Sequence, residues 1–144
     1  MKLYVFFGAA AVFMVATTPS HADTTASQPP QGSEVAYQVT LAGGDLDGCT
    51  VDVVEQLYGR DGGAWGIFDI SGEVTCDRGG FSYTSSGAWD GNGFHAAGMI
   101  EEGSGSGEFE GVSGRIAQLG GSGADAGNGT FDISYDLVVD TRDN

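Results

Sequence analysis

Basic residues are scarce in this chain: five Lys and Arg stand against 20 Asp and Glu, a formal net charge of −15 over 144 residues. A surface of that sign repels phosphate backbones and anionic membranes, which argues against nucleic acid as a partner. Helical periodicity is missing as well. No stretch sustains an apolar stripe at 3.6-residue spacing, and the frequent glycines would each cost a helix about 1 kcal/mol. There is no G-x-S-x-G elbow, no H-E-x-x-H, no P-loop and no dinucleotide-binding fingerprint, so hydrolase, metalloprotease and nucleotide-binding functions find no support. Cysteine occurs only twice, as Cys49 and Cys76, and with a single histidine nearby that spacing fits no zinc site.

What the chain has in excess is glycine, 26 residues against a usual share of about 7%. It follows no three-residue period, which excludes collagen. The 40% apolar and 10% aromatic content is too high for a disordered chain. One folded all-β domain is the reading that remains.

The N-terminus reads as an export signal. Met1-Lys2 supplies a positive start, Leu3 to Ala16 is an apolar run, and Ser20-His21-Ala22 is a small-x-small cleavage signature. The run is shorter than the ~20 residues needed to span a bilayer. Residues 1–22 are therefore expected to be removed, leaving a secreted or periplasmic protein that starts at Asp23 and inserts in no membrane. In such an oxidising compartment Cys49 and Cys76 are expected to form a disulfide.

Residues 23–33, with Pro29-Pro30 and no apolar periodicity, are expected to be a flexible arm, and residues 34–141 the domain. Period-two alternation marks strands at Glu34 to Leu41, Cys49 to Tyr58, Ala64 to Cys76, Phe81 to Trp89, Phe94 to Glu101, Gly107 to Gly111, Arg115 to Leu119 and Gly129 to Asp140. Asp90-Gly91-Asn92-Gly93 between two of them is a hairpin turn. About eight antiparallel strands at short spacing predict a barrel or a sandwich. Gly66, Gly72, Gly87 and Gly98 inside strands favour the barrel, as bends or bulges where a sheet closes on itself.

Gly105-Ser106-Gly107-Glu108-Phe109-Glu110-Gly111-Val112-Ser113-Gly114 follows the pattern G-x-G-x-F-x-G-x-x-G. This segment, with the strands after it to about residue 140, resembles the allene oxide cyclase and dirigent-like barrels. The resemblance implies an eight-stranded barrel with a mainly apolar lumen, in a group that includes cyclases, proteins that steer radical coupling and uncharacterised bacterial proteins. No catalytic residue carries over on the motif.

The residues themselves offer further candidates. His95 is the general base nearest neutrality, with Asp90 or Glu101 to orient it and Arg115 as an anion clamp. If Phe94, Ala96, Gly98 and Ile100 face the core, however, His95 points to solvent. Trp65, Tyr83 and Trp89 could line a ligand pocket or simply fill the barrel. Gly120 to Asp125 matches part of a calcium-binding nonapeptide, and Asp45-Leu46-Asp47-Gly48 the opening of an EF-hand; both read better as turns, and neither a metal nor a cofactor is expected. Three functions are compatible with these residues: binding of a small apolar ligand or an envelope component, a cyclase or isomerase whose lumen moulds its substrate, and an interaction protein with a filled barrel. An oligomeric state is not encoded in any recognisable pattern.

Overall fold

The computed structural model describes residues 18–27, 34–59, 65–90, 93–127 and 130–141. Its strands are β1 (Ser20–Ser27), β2 (Glu34–Ala42), β3 (Thr50–Gly59), β4 (Gly66–Cys76), β5 (Gly79–Asp90), β6 (Gly93–Ile100), β7 (Ser106–Gly107), β8 (Gly114–Gly127) and β9 (Thr130–Thr141), with one 3-10 turn at Gly44–Leu46. All pairings are antiparallel. Apart from the two-residue β7, each strand pairs with the next along the chain, and β9 returns to β1. The result is a closed up-and-down barrel of eight strands. Closure removes the unpaired edges that an open sheet would otherwise expose to aggregation.

The alternation of side chains decides what lies inside. In β9, Ile133, Tyr135, Leu137 and Val139 are buried, while their sequence neighbours are not. In β4, Phe68, Ile70 and Val74 point inward. Two of the in-strand glycines, Gly66 and Gly72, have a further role beside the bends expected of them. The register shifts among the described residues fall at other positions, between Phe94 and Ala96, between Leu119 and Ser122 and between Asp125 and Gly127. Gly72 pairs across the sheet with Tyr83 and Gly66 with Trp89, and a Cβ on either glycine would collide with the ring of its partner. These glycines are seats for aromatic side chains, because a ring can lie flat across a strand only where no side chain rises beneath it.

One end of the barrel is plugged. Leu46 from the 3-10 turn and Phe109 and Val112 from the β7–β8 connection are buried there. The Phe109 ring packs 5.3 Å from that of Phe81 and lies 5.2 Å below the Arg78 guanidinium. Ser20 Oγ donates to Gly43 O at 2.7 Å and accepts from Leu46 N at 3.2 Å, tying β1 to the plug. The Cys49–Cys76 disulfide, with Cα atoms 4.5 Å apart, joins the start of β3 to the end of β4 at the same end.

Several boundaries differ from the sequence-based ones. Residues 23–27, read as the start of an arm, form most of β1, and residues 28–33 lie outside the described residues. The cleavage expected after Ala22 falls inside this strand; residues 1–17 of the expected signal are outside the described residues. β1 escapes notice because its inward positions are only Ser20, Ala22, Thr24 and Ala26, small enough to pass beneath larger neighbours. The strand expected at Gly107 to Gly111 is instead a turn after the two residues of β7, with φ of 61° at Gly107 and 80° at Gly111. Conversely, Gly120 to Asp125 belongs to β8 rather than to a loop. The Asp90-Gly91-Asn92-Gly93 hairpin has Asp90 paired with Gly93; residues 91–92 lie outside the described residues.

Candidate functional site

Along β3 the inward series is Val51, Val53, Glu55 and Leu57, so strict alternation carries an acidic residue into the barrel. Glu55 is 6% exposed. It pairs with Val35 on β2 and Ile70 on β4, well away from the plugged end. Three tyrosines converge on it from different strands by the same parity: Tyr37 on β2, Tyr83 on β5 and Tyr135 on β9. The Tyr37 hydroxyl donates to Glu55 Oε2 at 3.3 Å. Gln118 on β8 and Ser85 on β5 are buried on the same inner surface.

Burial dominates the electrostatics here. It pushes the Glu55 carboxyl from 4.5 up to about 7, with the Tyr37 hydrogen bond opposing more weakly. A buried carboxylate has lost its water and gains little from a single long hydrogen bond, so the neutral acid is favoured. Burial also raises the tyrosine hydroxyls: Tyr37 and Tyr83 well above their ordinary value, and Tyr135 to about 12 against a smaller downward pull from Gln118. All three tyrosines therefore stay protonated at neutral pH.

The hydrogen-bonding of this cluster is incomplete. The hydroxyls of Tyr83, Tyr135 and Ser85 and both amide atoms of Gln118 are buried without a protein partner. Gln118 is near enough to Tyr135 to influence its ionisation, yet no well-aligned hydrogen bond joins the two. A buried polar atom without a partner costs about 1–3 kcal/mol, and native interiors leave very few of them. Five such atoms on the inner surface that also carries Glu55 leave a polar centre whose hydrogen bonds the described side chains do not complete.

Aromatic rings wall the lumen on the side away from the plug. Phe68 meets Trp89 at 6.1 Å and Phe94 edge-on at 5.7 Å, and Phe94 meets Tyr135 at 5.8 Å. Trp89 and Phe94 are only partly buried and stand near the open ends of β5 and β6. A groove of about 490 Å³ lies on the outer wall and is lined by residues such as Val54, Gln56, Asp69, Thr84 and Met99.

No family model, curated protein or solved structure matches this chain. The chemistry of the site has to be read from its own residues.

The candidates named from sequence divide cleanly by strand face. Tyr83 is fully buried in the lumen and Trp89 points inward beside Phe68, whereas Trp65 is 51% exposed. His95, Asp90 and Glu101 are exposed. Arg115 is exposed too, and pairs with Asp140 at 3.3 Å on the outer surface. His95, Asp90, Glu101 and Arg115 are thus not brought together, and none of them reaches the lumen; the inward burial of Ala96 and Ile100 sends His95 outward. The acidic turn near Asp45 is structural: Asp47 Oδ1 accepts from Gly43 N at 2.7 Å, and the Asp45 carbonyl accepts from Arg78 Nη2 at 2.5 Å.

Sequence reasoning passed over Glu55, Tyr37, Tyr135 and Gln118 as site residues. The signal was present in the parity. Each sits two positions from a buried aliphatic residue on its strand: Val53 beside Glu55, Val39 beside Tyr37, Leu137 beside Tyr135 and Ile116 beside Gln118. A charged or amide side chain in an inward register is the feature to look for.

Proposed function

We propose that this protein is an exported barrel that binds a small molecule in its lumen, with an apolar body against Phe68, Trp89 and Phe94 and a polar group against Glu55, Tyr83, Tyr135 and Gln118. The observation behind this reading is the set of five partnerless buried polar atoms on the same inner wall as the buried Glu55 carboxyl. A barrel packed for stability alone would place aliphatic side chains there. The aromatic packing keeps the ligand small. The disulfide, the apolar N-terminal run and the likeness of Gly105–Gly114 to allene oxide cyclase and dirigent-like barrels support export and a ligand-holding role.

Native mass spectrometry of the protein purified from its own host tests the reading. A retained small molecule, lost when Tyr83 and Tyr135 are both replaced by phenylalanine, is the expected result. Protein that carries no adduct, and whose melting temperature responds to no member of a metabolite panel, would refute it.

One observation favours a second reading, an isomerase. A carboxyl raised to about 7 beside protonated tyrosines has the properties of a general acid–base pair at neutral pH. The two readings separate on the fate of the bound molecule: an isomerase releases it rearranged, and a binding protein releases it unchanged.

A further inference from the structure

Among the described residues Glu55 has no positive partner. Among the described residues the polar side chains that share the inner wall with it are Tyr37 from β2, Tyr83 and Ser85 from β5, Gln118 from β8 and Tyr135 from β9, set among apolar ones such as Phe68 and Ile70 of β4 and Ala96 of β6. All are neutral. Among the described residues the two arginines are remote from the lumen, Arg78 over Phe109 at the plugged end and Arg115 bridged to Asp140 outside. A carboxyl enclosed in a protein is normally met by a cation or by several N–H donors, and among the described residues one hydroxyl at 3.3 Å is all that meets it.

We infer that the lumen ligand is an organic ammonium ion, a primary or secondary amine whose N–H groups meet the Glu55 carboxylate and the unpartnered oxygens of Tyr83, Tyr135 and Gln118. The inference rests on the lumen-binding reading above and specifies its ligand class. Three features of the chemistry agree with it. An ammonium group supplies two or three donors, and the phenol and amide oxygens facing it have free lone pairs to accept them. The three tyrosines on this inner wall are of a residue type whose ring faces attract cations. The excess of 20 acidic over five basic residues draws cations toward the barrel and repels anions. An alcohol would satisfy the hydroxyls but leave the carboxyl without a counter-charge, and a carboxylate ligand would be repelled by Glu55 itself.

The test is binding of a series of amines from methylamine to benzylamine at pH 7.5, each compared with the alcohol and the carboxylate of the same carbon skeleton, followed by calorimetry and by the carbon-13 signal of the Glu55 carboxyl. At least one amine is expected to bind ten-fold or more tightly than its alcohol, the carboxylates are expected not to bind, and saturation should lower the Glu55 titration midpoint by a unit or more. Glu55→Gln should weaken that amine ten-fold or more; if this variant does not fold, the comparison of amine with alcohol on the native protein decides. An alcohol or carboxylate that binds as well as its amine, a Glu55→Gln protein of undiminished amine affinity, or no binding by any amine overturns the inference. If the molecule retained from the host is neutral or acidic, the ligand class is wrong and the lumen site stands. If no molecule is retained and none of the three series binds, the lumen site falls as well.

Discussion

Replacing Glu55 by glutamine is expected to stabilise the protein by about 3 kcal/mol at pH 8 while leaving it nearly unchanged at pH 4. The direction is opposite to that of a typical acidic residue. Most native carboxyls are paired and have lowered values, so they add stability at neutral pH and lose it in acid. Glu55 is raised from 4.5 to about 7, so the folded state holds a proton that the unfolded chain has already released. Stability is then full below about 4.5, declines as the pH climbs to about 7, and is flat beyond. Glutamine keeps the shape and the acceptor for Tyr37 but never ionises. Because the other acidic residues titrate alike in both proteins, the difference between variant and native isolates Glu55. Urea midpoints or melting temperatures from pH 4 to pH 8 check this, with a gap at pH 8 of roughly 10 °C for a domain of this size. A gap that does not widen with pH would mean that Glu55 is solvated.

Loss of the disulfide is expected to cost about as much. Cys49 and Cys76 are 27 positions apart, and closing a loop of that length removes enough freedom from the unfolded chain to stabilise the fold by about 3.5 kcal/mol in the chain-entropy description. The bond also has a local task. It holds β3 to β4 beside the plug, where Leu46 and Phe109 close the barrel. The Cys49→Ser, Cys76→Ser double variant should therefore unfold at a markedly lower denaturant concentration, by more than 1 M urea for a slope of 1–3 kcal/mol/M, and the native protein should show the same fall under reducing agent. An unchanged midpoint in both experiments would show that plug and sheet close the barrel unaided.

How much of this was legible in the sequence depends on residue size at inward positions. β9 is plain because Phe131, Ile133, Tyr135, Leu137 and Val139 alternate with small or acidic neighbours. β1 is hidden because Ala22 and Ala26 carry little hydrophobic signal, even though it closes the barrel against β9 through eight register pairs. Around Phe109 the opposite happens: alternation imitates a strand, and the positive φ of Gly107 and Gly111 breaks it into a turn. One strand missed and one strand too many leave the expected count at eight, which agrees with the fold for a partly accidental reason. The seats at Gly66 and Gly72 were visible as interruptions but not in purpose, since their meaning depends on Trp89 and Tyr83 across the sheet.

The site was less legible than the fold. The Val53-Val54 doublet blurs which face of β3 points inward, and without that parity Glu55 looks like one more solvated acid in a chain that has 20 acidic residues. His95 attracts attention as a residue type, but its strand turns it outward. A lumen site is assembled from four or five strands at once, so its members share no local motif. Only the closed register brings Tyr37, Glu55, Tyr83, Gln118 and Tyr135 to one place.

The enclosed, uncompensated carboxyl is the feature on which the functional reading rests, and its ionisation can be followed directly. In ligand-free native protein, the carbon-13 signal of the Glu55 side-chain carboxyl should titrate with a midpoint near 7. A midpoint at or below 4.5 would put that group in water or beside a cation and would contradict the assignment of a polar centre inside the barrel.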